Sequence, residues 1–128
     1  MTDNTENRIR LAEWQGWTHI RMKYVAMDKR SYPFGCVPGN VNDTHLKEQI
    51  PDPYTDANDC EALIRHLRKR GWLIRIEDQG TPASPLMPVV AWLTIHAHRP
   101  FRVHRWRGPC DDYKQGVCEL ALKVLDND

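Results

Sequence analysis

Apolar residues recur at helical spacing from Cys60 to Leu67 (Cys60, Leu63, Ile64, Leu67), and from Trp72 the period drops to two. There Trp72, Ile74 and Ile76 alternate with Leu73, Arg75 and Glu77. The first pattern predicts an amphipathic helix and the second a strand buried on one side, with Gly71 as the left-handed stop between them. Thr55 is placed to cap that helix. Asp56, Asp59 and Glu61 occupy its first turns and Arg65, Arg68, Lys69 and Arg70 its end, which is the polarity the helix dipole favours.

The same reading extends along the chain. Asn4 to Trp14 predicts a short helix with few apolar residues (Ile9, Leu11, Ala12), stopped at Gly16-Trp17. Thr18 to Tyr24 alternates and predicts a short strand, whereas Asp28 to Pro53, with Pro33, Gly35, Pro38, Gly39, Pro51 and Pro53, predicts a long connecting loop. After the turn-rich segment 78–85, Val89 to His98 predicts a second strand and Phe101 to Arg107 a third, joined through Arg99-Pro100 as a tight hairpin. Gly108-Pro109 ends the sheet. Asp111 and Asp112 then open a last helix with Val117, Cys118, Ala121, Val124 and Leu125 on one face. The order α-(β)-α-β-β-β-α predicts a single α+β domain over 1–128, with no internal repeat and no low-complexity segment.

Composition narrows the class. With 128 residues, 41% hydrophobic and 27% charged, the chain is long enough to bury a core without staples. No apolar run approaches the ~20 residues of a membrane span, and the polar start MTDNTENRIR carries no expectation of a signal peptide. Cys36, Cys60, Cys110 and Cys118 form no CxxC pair, so a reduced, cytoplasmic setting is expected, with Cys60 and Cys118 as small core residues. The net charge is +1, but it is unevenly spread: Asp43–Glu61 holds six acids and only Lys47. Ala62–Ile76 holds five basic residues and no acid, and Gln79–Cys110 holds four arginines and three histidines and no acid. Such asymmetry marks a surface for anionic partners, although the dipole-matched helix accounts for half of it.

Several short motifs span most of the chain: NRIRLAEWQGWT through Thr18, PDPYTDANDC from Pro51 to Cys60, the Gly71-Trp72 strand start and the helix of CELALKVL type. Together they resemble the phage ABA-sandwich domain family of small phage and prophage proteins, and more loosely the NinX-like phage proteins. The resemblance implies a three-layer α/β/α sandwich around a three- to four-stranded, mainly antiparallel sheet, and a phage or prophage origin. It implies no activity.

Strand alternation sorts the sheet into two faces. Trp72, Ile74, Ile76, Ala91, Leu93, Ile95, Phe101 and Val103 form an apolar face expected to pack on the two long helices. The other face, with Leu73, Glu77, Val90 and Thr94, brings Arg75, Trp92, His96, Arg102, His104 and Trp106 together as the candidate binding site, because Trp and Arg dominate binding hot spots. The competing reading is that the first helix and the Pro-rich loop cover this face as a second small core. His96, His98 and His104 offer three imidazoles to a metal, but without spaced Cys/His pairs or an acidic partner to orient them no metal or cofactor is expected. Asp56 and Asp59 fit first-turn residues better than an acid–base pair, Cys36 has no evident base, and no phosphate loop, HExxH or GxSxG occurs, so an enzyme is not expected.

The expectation is therefore a binding protein of the bacterial cytoplasm. Taken with the phage resemblance, its partner is a host protein such as a defence component, which it antagonises by occupying a surface or sequestering a ligand. Self-association is compatible with this. The alternative is a nucleic-acid-binding accessory protein, since α-β-β-β-α is also the order of the double-stranded-RNA-binding domain; Asp111-Asp112, where that domain carries phosphate-contacting lysines, speaks against that mode.

Overall fold

The computed structural model describes residues 4–39, 47–78 and 92–127. The chain is α+β, with three α-helices and two three-stranded antiparallel sheets among the described residues. The chain divides into two compact units, Met1–Asp52 and Pro53–Asp128, each with its own sheet.

In the first unit α1 (Thr5–Trp14) leads into β1 (Thr18–Val25). The helix ends in a Schellman motif: Gly16 at φ +102° lets its N–H reach Glu13 O (3.0 Å) and the Trp17 N–H reach Ala12 O (3.0 Å). β2 (Arg30–Cys36) and β3 (Lys47–Gln49) follow, and the sheet order is β1-β2-β3. The loop expected over Asp28–Pro53 is thus a correction, because it carries two of the three strands. Pro33 and Gly35 read as breakers, yet each has a place in a central strand. A Cβ on Gly35 would lie 2.9 Å from Ile20 Cγ1 and 3.0 Å from Thr18 O, so glycine permits the close approach beside the register shift between Thr18 and Arg21. Pro33 pairs with Met22 and lies just past the last β3 pair, Phe34 with Gln49, where its missing N–H breaks no ladder bond. Its carbonyl accepts from the Ile50 N–H (3.1 Å), and the Ile50 carbonyl is taken by Arg8 Nη2 (3.2 Å). Arg8 also donates from Nε to Pro51 O (3.3 Å) and stands 3.7 Å from Asp52, so one α1 side chain ties down the unit's far end. Leu11, Ala12, Pro33, Cys36 and Ile50 are buried.

In the second unit α2 (Ala57–Lys69), β4 (Leu73–Asp78), β5 (Trp92–Arg99), β6 (Arg102–Pro109) and α3 (Tyr113–Asn127) follow in turn, with a 3-10 turn at Cys110–Asp112. The sheet order is β4-β5-β6, and α2 and α3 pack on each other and on one of its faces. The core between them holds Cys60, Leu63, Leu67, Trp72, Leu93, Ile95, Ala97, Val117, Leu120, Ala121 and Val124. The N-cap of α2 is Asp56 rather than the expected Thr55: its Oδ1 accepts from the Asn58 and Asp59 amides at 2.8 and 3.1 Å. A carboxylate at that point satisfies two otherwise unpaired N–H groups and meets the positive helix end, which a hydroxyl does less well. The helix closes with a second Schellman motif, Gly71 N–H to Arg68 O and Trp72 N–H to Leu67 O. The start of the second predicted strand (Val89–Ala91) and most of segment 78–85 lie outside the described residues.

Candidate functional site

The hairpin between β5 and β6 decides which side chains the sheet displays. Arg99 pairs directly with Arg102 across a two-residue turn, Pro100-Phe101, with Pro at i+1 and Phe101 at φ +67°, the pattern of a type II turn. Directly paired residues share a face, so an odd position on β5 faces the same side as an even position on β6. Trp72, Ile74, Ile76, Leu93, Ile95 and Ala97 therefore lie on the helix side with Arg102, His104, Trp106 and Gly108. The opposite side, open in the sense that neither α2 nor α3 packs on it, carries Leu73, Arg75, Glu77, Trp92, Thr94, His96, His98, Val103, Arg105 and Arg107.

This divides the predicted site. Arg75, Trp92 and His96 stand on the open face. Arg102, His104 and Trp106 are turned towards the helices, while Val103, expected inside, is outside. Alternation within each strand is as expected; the parity between β5 and β6 is not, because a two-residue turn inverts it.

The three inward residues are held by the structure around them. Arg102 Nη1 donates to Asn127 O (2.9 Å) at the end of α3, and Arg99 Nη2 donates to Arg70 O at the end of α2 while its guanidinium stacks 5.2 Å from the Trp72 ring. The two arginines that flank the turn thus cap the negative ends of both long helices. His104 lies 5.5 Å from Trp72, its Nε2 buried without a hydrogen-bond partner among the described residues. Trp106 lies against two glycines: a Cβ on Gly116 of α3 would be 2.3 Å from its Cε3, and one on Gly108 2.5 Å from its Cη2.

Register arranges the open face in cross-strand rows. Nearest the turn, Leu73, His98 and Val103 form a row with exposed apolar ends; Leu73 is 71% exposed and Phe101, in the turn itself, fully so. The next row is Arg75, His96 and Arg105, and the third Glu77, Thr94 and Arg107. Arg107 stacks 5.6 Å from the ring of Trp92, which is 43% exposed. Glu77 is the one acid on this face among the described residues. Its Oε1 pairs with Arg75 Nη2 at 2.8 Å, and its Oε2 lies 3.4 Å from His96 Nε2, within ion-pair range but off hydrogen-bond geometry. Thr94 Oγ1, buried at the centre of the face, also lacks a hydrogen-bond partner among the described residues. Arg105 is exposed and forms no ion pair among the described residues. The edges of the face are open, with three arginines against one glutamate.

The other candidate chemistries fare differently. His96 and His98 come together, ring centroids 6.0 Å apart, but His104 is on the far side of the sheet, and among the described residues no group of three or more His, Cys, Asp or Glu is placed to hold a metal. Cys36, read as a loop thiol, is buried in β2. Cys60 forms part of the wall of a cleft of about 310 Å³ with Ala57, Glu61, Ile64, Arg68 and Tyr113. Burial pushes its thiol up to about 11 from the ordinary 9.0, against the pull of nearby Lys114, so it is not a nucleophile at neutral pH. No described helix is long and apolar enough to cross a membrane.

No family model, curated protein or solved structure matches the chain. The site must be read from its own chemistry.

Proposed function

We infer that the protein is a binding protein without catalytic activity, and that the open face of β4–β6 engages an acidic surface of a partner protein. The observation that carries this is the order of the rows: exposed apolar groups (Leu73, Val103, Phe101) beside cations (Arg75, Arg105, Arg107) and Trp92. Apolar and aromatic groups supply the burial and arginines the directional contacts in binding hot spots. With Glu77 engaged by Arg75, the net positive field selects an acidic partner. The resemblance to phage ABA-sandwich proteins supplies the setting: the partner is a protein of the bacterial cytoplasm, such as a defence component, held inactive by occupation of its surface.

The test is capture from bacterial lysate with the tagged protein, with and without nuclease, beside a Trp92→Ala/Arg105→Ala/Arg107→Ala variant checked for folding by circular dichroism. A nuclease-resistant protein lost with the folded variant is expected. Undiminished capture by the variant would sink the assignment of the face.

A second reading has its own support. The row Arg75–His96–Arg105 and the exposed Trp92 are the elements of a phosphate track with a stacking platform, on an α-β-β-β-α unit. Salt separates the two: phosphate binding weakens linearly in log salt, with a slope set by the cations engaged, whereas a hot-spot interface responds less.

A further inference from the structure

Among the described residues strand β4 is an edge of its sheet, and its backbone makes no hydrogen bond there outside the ladder with β5. Natural edges of this kind are blunted by Pro, by bulges or by charged side chains. β4, LIRIED, has no Pro, its pairing with β5 runs without a register shift, and its charges are of both signs, so they do not repel a second copy of the strand. The opposite edge differs, since β6 carries Arg102, Arg105 and Arg107. On the helix side of β4, Ile76 is 49% exposed, although alternation puts it on the same side as buried Trp72 and half-buried Ile74.

We propose that β4 pairs antiparallel with β4 of a second copy of the chain, about a two-fold axis through Ile76, making one continuous six-stranded sheet. A two-fold edge contact must be self-complementary, so the strand's own sequence selects the register. With the axis at Ile76, Arg75 lies opposite Glu77 of the second copy, and Glu77 opposite its Arg75; Ile76 meets Ile76. An axis at Arg75 or at Glu77 sets like charges face to face, which is unfavourable. An axis between Arg75 and Ile76 would oppose residues of different faces, which an antiparallel pair does not allow. Of the possible axes only Ile76 sets unlike charges opposite one another and isoleucine on isoleucine at the centre of the strand, with Ile74 opposite Asp78 at its ends. The Arg75–Glu77 ion pairs, one within each strand, exchange for two between the strands, so Arg75 and Glu77 of both copies stay paired. Directly opposed residues share a face, so the dimer sets both open faces side by side and offers a partner two copies of the cationic rows.

The inference is independent of which partner the face binds. It is tested by light scattering behind size exclusion over a concentration series. The wild type is expected at twice the 15.0 kDa of the chain. Arg75→Glu and Glu77→Arg, each placing like charges opposite one another, are expected to weaken association on the order of tenfold or more. The double exchange Arg75→Glu/Glu77→Arg restores the complementarity and should restore the dimer. A mixture of the two single variants should form a heterodimer, because a strand with two carboxylates then lies opposite a strand with two guanidinium groups. Ile76→Lys, a change at a half-exposed position, keeps the fold and should give monomer. A wild type that stays at 15.0 kDa throughout, or a dimer indifferent to the exchanges and to Ile76→Lys, overturns the proposal.

Discussion

Gly116→Ala sets two rules against each other. Within a helix the change removes glycine's backbone freedom and by propensity alone should stabilise by about 1 kcal/mol. Gly116, however, is buried in α3 where Trp106 lies against it. The new Cβ would sit 2.3 Å from Cε3 and 2.5 Å from Cδ2, and since ordinary contact begins near 3.4 Å the ring must retreat by about 1 Å. A rigid indole cannot fold its end away, and its other side lies within 2.5 Å of where a Gly108 Cβ would stand. Overpacking of this kind costs ~1–3 kcal/mol, so once the propensity gain is offset the net change is expected to be a loss of up to about 2 kcal/mol. Urea unfolding of wild type, Gly116→Ala, Trp106→Leu and the double variant closes a thermodynamic cycle. The alanine should be tolerated once the indole is gone, giving a coupling of about 1 kcal/mol or more. A more stable Gly116→Ala, or additive single changes, would refute the packing argument and return the site to propensity.

Phe101 holds a left-handed backbone with its side chain fully in solvent, so Phe101→Gly should raise stability by ~1 kcal/mol, read by urea midpoint, while weakening partner capture. A loss of stability would mean that the ring packs on something. Arg99→Ala and Arg102→Ala should each cost ~1 kcal/mol by uncapping α2 and α3, whereas Arg105→Ala on the same hairpin should be neutral within ~0.5 kcal/mol. Equal effects at all three positions would deny the caps. For Cys60 the folded pKa is raised, so its contribution is complete below the unfolded value of 9.0 and is lost as pH climbs towards about 11. Stability should fall by on the order of 2–3 kcal/mol over that window relative to Cys60→Ala, and parallel curves for the two proteins would contradict the burial.

Much of the second unit is legible in the sequence because its signals are local. The stripe on α2, the Gly71 stop, the alternation of β4 and the apolar face of α3 each sit within a few residues of one another. What escapes depends on relations between elements. Pro33 and Gly35 look like breakers until the partners are known: Pro33 sits where β3 has run out, and Gly35 where Ile20 leaves no room for a Cβ. Arg105 and Arg107 fall outside the predicted face and Arg102, His104 and Trp106 within it, although the sequence carries the signal that reverses them. A hairpin broken only at Pro100-Phe101 implies inverted parity, and an alternation carried straight across the turn ignores it. The helix-capping roles of Arg99 and Arg102 leave no trace in their own neighbourhood, since their acceptors lie 29 and 25 residues away.

The two-residue turn has an evolutionary corollary. Substitution alters this surface one side chain at a time. A residue inserted between Pro100 and Phe101 only lengthens the loop while Arg99 and Arg102 still pair, but one inserted between Arg102 and Val103 would exchange the display of β6 beyond it. Arg105 and Arg107 would go inward against Gly116, and Trp106 and His104 outward. Such a step loses the core along with the surface, so descent by small changes is barred at that point. Lineages that keep the Trp106–Gly116 contact can vary the turn but not the spacing from Arg102 to Trp106, and diversification of what this face binds must proceed through the turn and the outward residues.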